Sequence, residues 1–162
     1  MEIERKYEIN NLPDDLKQYK YKKIEQGYLC HDPIIRIRKS NEDYILTYKS
    51  KLKKKEAGCA IFNHEVELPL TMEAYEQLLS KIDNNLVKKT RYLIPLLNGL
   101  TAELDVFEDK LVGLIFVEVE FPDEQTSNEF IPPKWFGRDL SEDKRFSNYY
   151  LSQLSGIEEL GI

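Results

Sequence analysis

The sequence predicts an α+β fold dominated by eight antiparallel strands that can close into a barrel, with helices packed outside. Three observations lead there. Eight segments alternate in polarity with the period of two that places successive side chains on opposite strand faces. Most are joined by short turns, which antiparallel strands permit and parallel strands do not. Charged residues recur at every second position on seven of those segments, while the intervening positions are mostly aliphatic or aromatic. No repeat, low-complexity stretch or linker interrupts the chain, so residues 1–162 read as a single domain.

Taken in order, residues 1–10 form the first strand, with Glu2, Glu4 and Lys6 on one face and Ile3, Arg5 and Tyr7 on the other. Residues 13–19 follow as a short helix, with Asn11 as cap and Pro13 near its start. Residues 22–30 are the second strand, ended by the turn His31-Asp32-Pro33. Residues 34–39 (Arg36 and Arg38 against Ile35 and Ile37) and 44–50 (Thr47 and Lys49 against Leu46 and Tyr48) make a hairpin around Asn41-Glu42-Asp43. Residues 51–58 form a basic loop ending in glycine. Residues 61–68 put Asn63, Glu65 and Glu67 opposite His64, Val66 and Leu68. Residues 69–82 carry a helix capped by Thr71, with Met72, Tyr75, Leu78, Leu79 and Ile82 at helical spacing. Residues 86–95 hold Lys89 and Arg91 on one face, and Asn98-Gly99 turns the chain tightly. Glu103 and Asp105, then Glu118 and Glu120, mark the last two strands. The turn-rich remainder ends in a short helix over 148–154.

Composition narrows the function classes. The net charge is −6, so the overall field does not draw the chain to nucleic acid or to anionic membrane. An anion would have to be held by a local cluster of bases. No apolar run approaches the ~20 residues of a membrane-spanning helix. The charged N-terminus offers no apolar signal region, and Cys30 and Cys59 form neither a disulfide framework nor a metal spacing. The expectation is a cytoplasmic protein with reduced thiols, a monomer or homodimer without nucleic-acid or membrane partners.

The alternating charges admit two arrangements. In one, they face water on an ordinary antiparallel sheet whose apolar face covers a core. In the other, they line the inside of the barrel. Same-face carboxylates two residues apart lie about 7 Å from one another and repel unless a cation separates them. The sequence pairs them repeatedly: Glu2 with Glu4, Glu65 with Glu67, Glu103 with Asp105, Glu118 with Glu120. An interior site of this kind would offer clustered oxygens to a hard divalent cation and Arg and Lys to phosphate oxygens, the parts that phosphoryl transfer needs.

Glu2-Ile-Glu4-Arg-Lys6 resembles the Glu-x-Glu-x-Lys signature of the CYTH superfamily, the triphosphate tunnel metalloenzymes. It is followed in order by Arg36-Ile-Arg38, Lys49, Glu65-Val-Glu67, Lys89-Thr-Arg91, Glu103-Leu-Asp105 and Glu118-Val-Glu120, and the tail Asp143-Lys-Arg-Phe-Ser-Asn148 resembles the family's closing segment. The resemblance spans essentially the whole chain. It implies a tunnel barrel with a charged lumen, and one or two divalent ions, Mg²⁺ or Mn²⁺, held by Glu2, Glu4, Asp105, Glu118 and Glu120. Lys6, Arg36, Arg38, Lys49, Lys89 and Arg91, with Arg145 from the tail, would bind a small-molecule triphosphate. Glu4, Lys6 and Glu120 would carry catalysis, and Glu65 and Glu67 would orient the bases. The implied reaction is hydrolysis of a triphosphate, foremost inorganic tripolyphosphate to pyrophosphate and phosphate, by water that the metal activates. An adenylate cyclase, a thiamine or nucleoside triphosphatase and a non-catalytic polyphosphate-binding module are the alternatives. His31 and His64 are isolated and assigned no role, and Trp135 is expected to pack under the tail.

Overall fold

The computed structural model describes residues 1–51, 61–83 and 85–162. The basic loop expected over 51–58 therefore lies, apart from Lys51, outside the described residues, as does Cys59. Eight long strands form the barrel: β1 (Glu2–Ile9), β2 (Lys20–His31), β3 (Ile34–Ser40), β4 (Asp43–Lys51), β5 (Ile61–Pro69), β6 (Val87–Pro95), β7 (Thr101–Phe107) and β8 (Ile115–Phe121). Their order around the sheet is β5-β4-β3-β2-β6-β7-β8-β1, every neighbouring pair is antiparallel, and β1 returns to β5 to close the circle. Closure rests on a short seam in which Glu2, Ile3 and Glu4 face Asn63, Phe62 and Ile61.

Beyond that seam β1 and β5 part, and a strand absent from the sequence reading takes up the free side of β1. This is β9 (Phe136–Asp139), which pairs Tyr7 with Asp139 and Ile9 with Phe136. The backbone pairing continues one step further, because Leu140 N–H donates to Lys6 O (2.7 Å) and Lys6 N–H donates to Ser141 Oγ (2.9 Å).

Alternation decides which residues face in. The odd positions of β1, the even positions of β7 and the odd positions of β8 point outward, where Ile3, Tyr7, Ala102, Leu104, Val117, Val119 and Phe121 form a buried cluster with Phe136. Phe130 and Trp135 cover it, as does α2 (Glu124–Glu129), whose N-cap Asp123 accepts from Thr126 N–H at 2.6 Å. Each such Leu, Val or Phe, fully buried, contributes about 1.5–3 kcal/mol. On the neighbouring outer wall sits α1 (Met72–Leu79). Thr71 caps it as expected, accepting from Ala74 N–H, but the helix stops at Leu79. Tyr75 of α1 is buried and donates to Glu25 Oε1 at 2.8 Å.

Two features differ from the simplest barrel. The outer face is only partly covered on this wall: α1 lies over β3 and β4, yet Tyr48 of β4 and Val66 and Leu68 of β5 are exposed. One end of the lumen is apolar. Val87, Phe107 and Phe116, all on the inward faces, pack with Leu140, Phe146, Leu151, Leu154 and Leu160 of the tail. The tail, including α3 (Asn148–Ser152), thus plugs that end of the barrel, and the charged lining occupies the rest.

Candidate active site in the barrel lumen

The inward positions separate into an acidic rim and a cationic wall. At the rim, the β1–β8 register sets Glu4 directly across from Glu120, and the seam sets Glu2 across from Asn63. Carboxylate oxygens of Glu2, Glu4 and Glu120 come within 4.8 Å of one another. Lys49 is the counter-charge: its Nζ lies 2.7 Å from Glu2, 3.8 Å from Glu4 and 3.4 Å from Glu65. Asn63 Nδ2 donates to Glu2 Oε1 at 3.1 Å.

Burial and mutual repulsion shape the proton affinities there. Burial raises Glu4 and Glu2, with Lys49 pulling the other way. Glu120 goes further, to about 8: the surrounding walls desolvate it, and Glu103, Glu2, Glu4 and Glu65 add repulsion. Burial works against the charge of Lys49, yet Glu4 and Glu2 hold its pKa above the ordinary lysine value. Among the described residues the rim therefore has more negative charge than Lys49 neutralises.

Deeper in the lumen the carboxylates are already paired with bases. Asp105 is fully buried. Arg91 forks onto it (Nε–Oδ1 2.7 Å, Nη2–Oδ2 2.9 Å), and Lys89 Nζ also donates to Oδ2 at 2.7 Å. Despite burial, Arg91 and Lys89 keep Asp105 well below the usual carboxylate range. Lys89 is lowered to about 7, chiefly by burial: Asp105 and Glu118 oppose the shift, and Arg91 and Arg38 add to it. Glu118 lies 3.5 Å from Lys6 and 3.8 Å from Arg91, which hold it low in spite of its burial. Lys6 Nζ also donates to Phe146 O of the tail at 2.5 Å, and Lys89 Nζ donates to Asn148 Oδ1 at 3.2 Å.

Between rim and plug lies a cavity of about 330 Å³ bordered by Glu4, Lys6, Arg36, Arg38, Lys49, Arg91 and Glu118 from the barrel and by Ser141, Lys144, Ser147, Asn148 and Tyr149 from the tail. Arg38 is oriented by Gln26, whose Oε1 accepts from Nε and Nη2 at 2.8 and 2.6 Å. Burial, then Arg36 and Arg91, pull Arg38 down to about 9, so it remains charged near neutral pH. Arg36 donates through Nη2 to Thr47 Oγ1 at 3.2 Å, but among the described residues its buried Nε–H has no acceptor, and buried Glu118 Oε1 has no hydrogen bond beyond the Lys6 ammonium 3.5 Å away. A buried donor left unmatched costs about 1–3 kcal/mol.

The structure thus brings Glu2, Glu4 and Glu120 together, whereas Asp105 and Glu118 are engaged by bases. It lines the cavity with Lys6, Arg36, Arg38, Lys49 and Arg91 and seals Lys89 beneath it. Arg145 turns away: it binds Asp143 (Nη2–Oδ2 2.7 Å) and Leu160 O (2.7 Å), bracing the tail. Glu65 joins the rim through Lys49, while Glu67 is exposed opposite Thr47. Sequence reasoning passed over Gln26, Thr47 and Asn63. Each stands two residues from another lumen side chain on its own strand, so the same period of two carried the signal. Tyr149 and the tail's polar residues had no such signal.

These geometries belong to a known family. A family model described as the CYTH domain matches residues 1–150, and the chain belongs to that family. It is 38% identical over 154 residues to an inorganic triphosphatase of Nitrosomonas europaea, covering 93% of this chain and 96% of that protein. It is 33% identical over 125 residues to an inorganic triphosphatase of Acetivibrio thermocellus, covering 76% and 75%. The crystal structure of the inorganic triphosphatase NE1496 superposes with a TM-score of 0.67 at 34% identity, over 95% of each chain. Among the described residues no helix is long and apolar enough to cross a membrane.

Proposed function

We propose that this chain hydrolyses inorganic tripolyphosphate to pyrophosphate and orthophosphate in the lumen cavity, with Mg²⁺ or Mn²⁺ held by Glu2, Glu4 and Glu120. The observation that carries the reading is a cavity lined together by Arg36, Arg38, Lys49 and Arg91, beside a rim of three adjacent carboxylates of which Glu4 borders the cavity itself. Curated relatives with the activity, matched over most of the chain, point the same way.

The donor set fits the metal. All three groups are hard carboxylate oxygens, the ligands Mg²⁺ and Mn²⁺ prefer, and the excess negative charge that raises Glu120 needs a cation. When bound, such an ion neutralises phosphoryl oxygens and lowers the pKa of water. The chain's own residues do the rest. Arg36 and Arg38 offer guanidinium donors to phosphate oxygens and Lys6 and Lys49 point charges, while Arg91, its fork engaged by Asp105, adds positive charge to the wall. Placed along the cavity, they neutralise charge developing on the pyrophosphate leaving group. Gln26 and Thr47 fix the guanidinium planes, so little reorganisation accompanies binding. Free Cys30 is in keeping with action in the reducing cytoplasm.

The test is orthophosphate release from tripolyphosphate, pyrophosphate, ATP and thiamine triphosphate with each metal. Tripolyphosphate should be turned over fastest and pyrophosphate poorly, because it spans fewer of the bases. Glu4→Gln should lose on the order of 10²-fold or more in kcat. Cyclic AMP as the main product from ATP, or wild-type rates in Glu4→Gln at limiting metal, would overturn the reading.

A further inference from the structure

The cavity is bordered by uncharged as well as charged side chains: Tyr28, Ile34, Leu140 and Tyr149 are among its lining, and Tyr28 and Tyr149 adjoin each other. A bare triphosphate makes no use of such a surface, whereas a triphosphate esterified to a nucleoside or another organic group would need it. Tyr149 already occupies the place. Its ring stacks on His31 with centroids 4.8 Å apart and planes 10° from parallel, and it meets Tyr28 nearly at right angles at 5.4 Å. One face of the ring is thus covered and unavailable to a base. The backbone on both sides is anchored: Phe146 and Leu151 are buried in the plug, and Asn148 accepts from Lys89. Ser152 Oγ donates to Tyr149 O at 2.5 Å. The cavity that remains, about 330 Å³, lies at the small end of the range of about 300–1,000 Å³ for organic-ligand pockets.

We propose that Tyr149, held in place by His31 and Tyr28, is a specificity-determining residue that narrows the cavity beside Tyr28 against nucleoside triphosphates and leaves room for the bare triphosphate chain. The inference rests on the triphosphatase reading above. The gate is steric and belongs to the ring. Admitting a nucleoside requires Tyr149 to leave both aromatic partners, and the anchored plug resists that movement. A bare triphosphate reaches the bases without disturbing it.

The experiment compares kcat/KM for tripolyphosphate and for ATP, both with Mg²⁺, in the wild type and three variants, with melting curves to confirm folding. In Tyr149→Ala the ratio of tripolyphosphate to ATP should fall by about tenfold or more. Tyr149→Phe keeps the ring and should keep the wild-type ratio. His31→Ala, at an exposed hairpin position, uncovers one ring face and should move the ratio the same way by a smaller factor; it serves as the second test if Tyr149→Ala does not fold. An unchanged ratio in folded Tyr149→Ala or His31→Ala, or a parallel loss on both substrates, would overturn the inference. Equal efficiency on both substrates in the wild type would do the same. If the wild type turns over neither, the function proposed above fails, and calorimetric binding of tripolyphosphate and ATP to the same variants still reads the gate through the affinity ratio.

Discussion

At the scale of the residue, the informative contrast is between carboxylates of one type in different surroundings. Glu118 and Glu120 are two positions apart on one strand and face the same lumen. Lys6 and Arg91 keep Glu118 ionised, whereas desolvation and three or more carboxylates lift Glu120 to about 8. The sign of the consequence follows. The rim glutamates bind protons more tightly in the folded chain than in the unfolded one, so without metal the protein loses stability as pH rises from about 4.5 toward about 8. A cation at the rim displaces those protons. Calorimetry of Mg²⁺ binding in buffers of differing ionisation enthalpy should therefore show proton release near neutral pH, fading above about pH 9. Glu120→Gln should diminish the release. Metal binding without proton release near neutral pH would show that the ion is held elsewhere.

At the scale of the element, β1 and β3 to β8 were legible because an inward charge every second residue marks a strand and its face together. Alternation gives the face but not the depth. Asp105 reads like Glu120 in the sequence, yet it sits opposite Arg91 and above Lys89 and becomes an ion pair. β9 was not legible, since Phe-Gly-Arg-Asp is too short to display a period and forms only because β1 and β5 part. The helix α2, Glu-Gln-Thr-Ser-Asn-Glu, has no apolar stripe and depends on its cap and on its packing against β1 and β8. Gly27 in the middle of β2 has its reason in packing. A Cβ there would lie 2.8 and 2.9 Å from the Cγ2 and Cδ1 carbons of Ile82, just beyond α1. Gly27→Ala should cost about 1–3 kcal/mol by overpacking. Combined with Ile82→Ala, it should cost clearly less than the sum of the two single changes, measured by denaturant unfolding. Strict additivity would mean that the contact does not restrict the strand.

At the scale of the whole molecule, the barrel is a container for charge, closed by a short seam at one side and an apolar plug at one end. The plug was invisible in the sequence because Leu140, Phe146, Leu151, Leu154 and Leu160 are far along the chain from the inward Val87, Phe107 and Phe116 they meet. Like charges facing one another without ligand are unfavourable, and a ligand bound only by the folded state stabilises it by mass action. Tripolyphosphate with Ca²⁺, at about a hundred times its Kd, should raise the Tm by about 5–10 °C. Ca²⁺ or tripolyphosphate alone should give smaller shifts, since each satisfies only one sign of charge. No shift with both present would argue against a shared site in the lumen.

The account stands on the cationic wall being where the triphosphate sits, and the most direct measurement is kcat/KM for tripolyphosphate with saturating Mg²⁺ in Arg36→Ala. Arg36 borders the cavity and is bonded to Thr47 through Nη2. Removing its charge-assisted bonds to phosphate should lower kcat/KM by about 10- to 100-fold or more, while His64→Ala, on the outer face of β5, should stay within about threefold. Wild-type efficiency in a folded Arg36→Ala protein would contradict the placement of the substrate in this cavity.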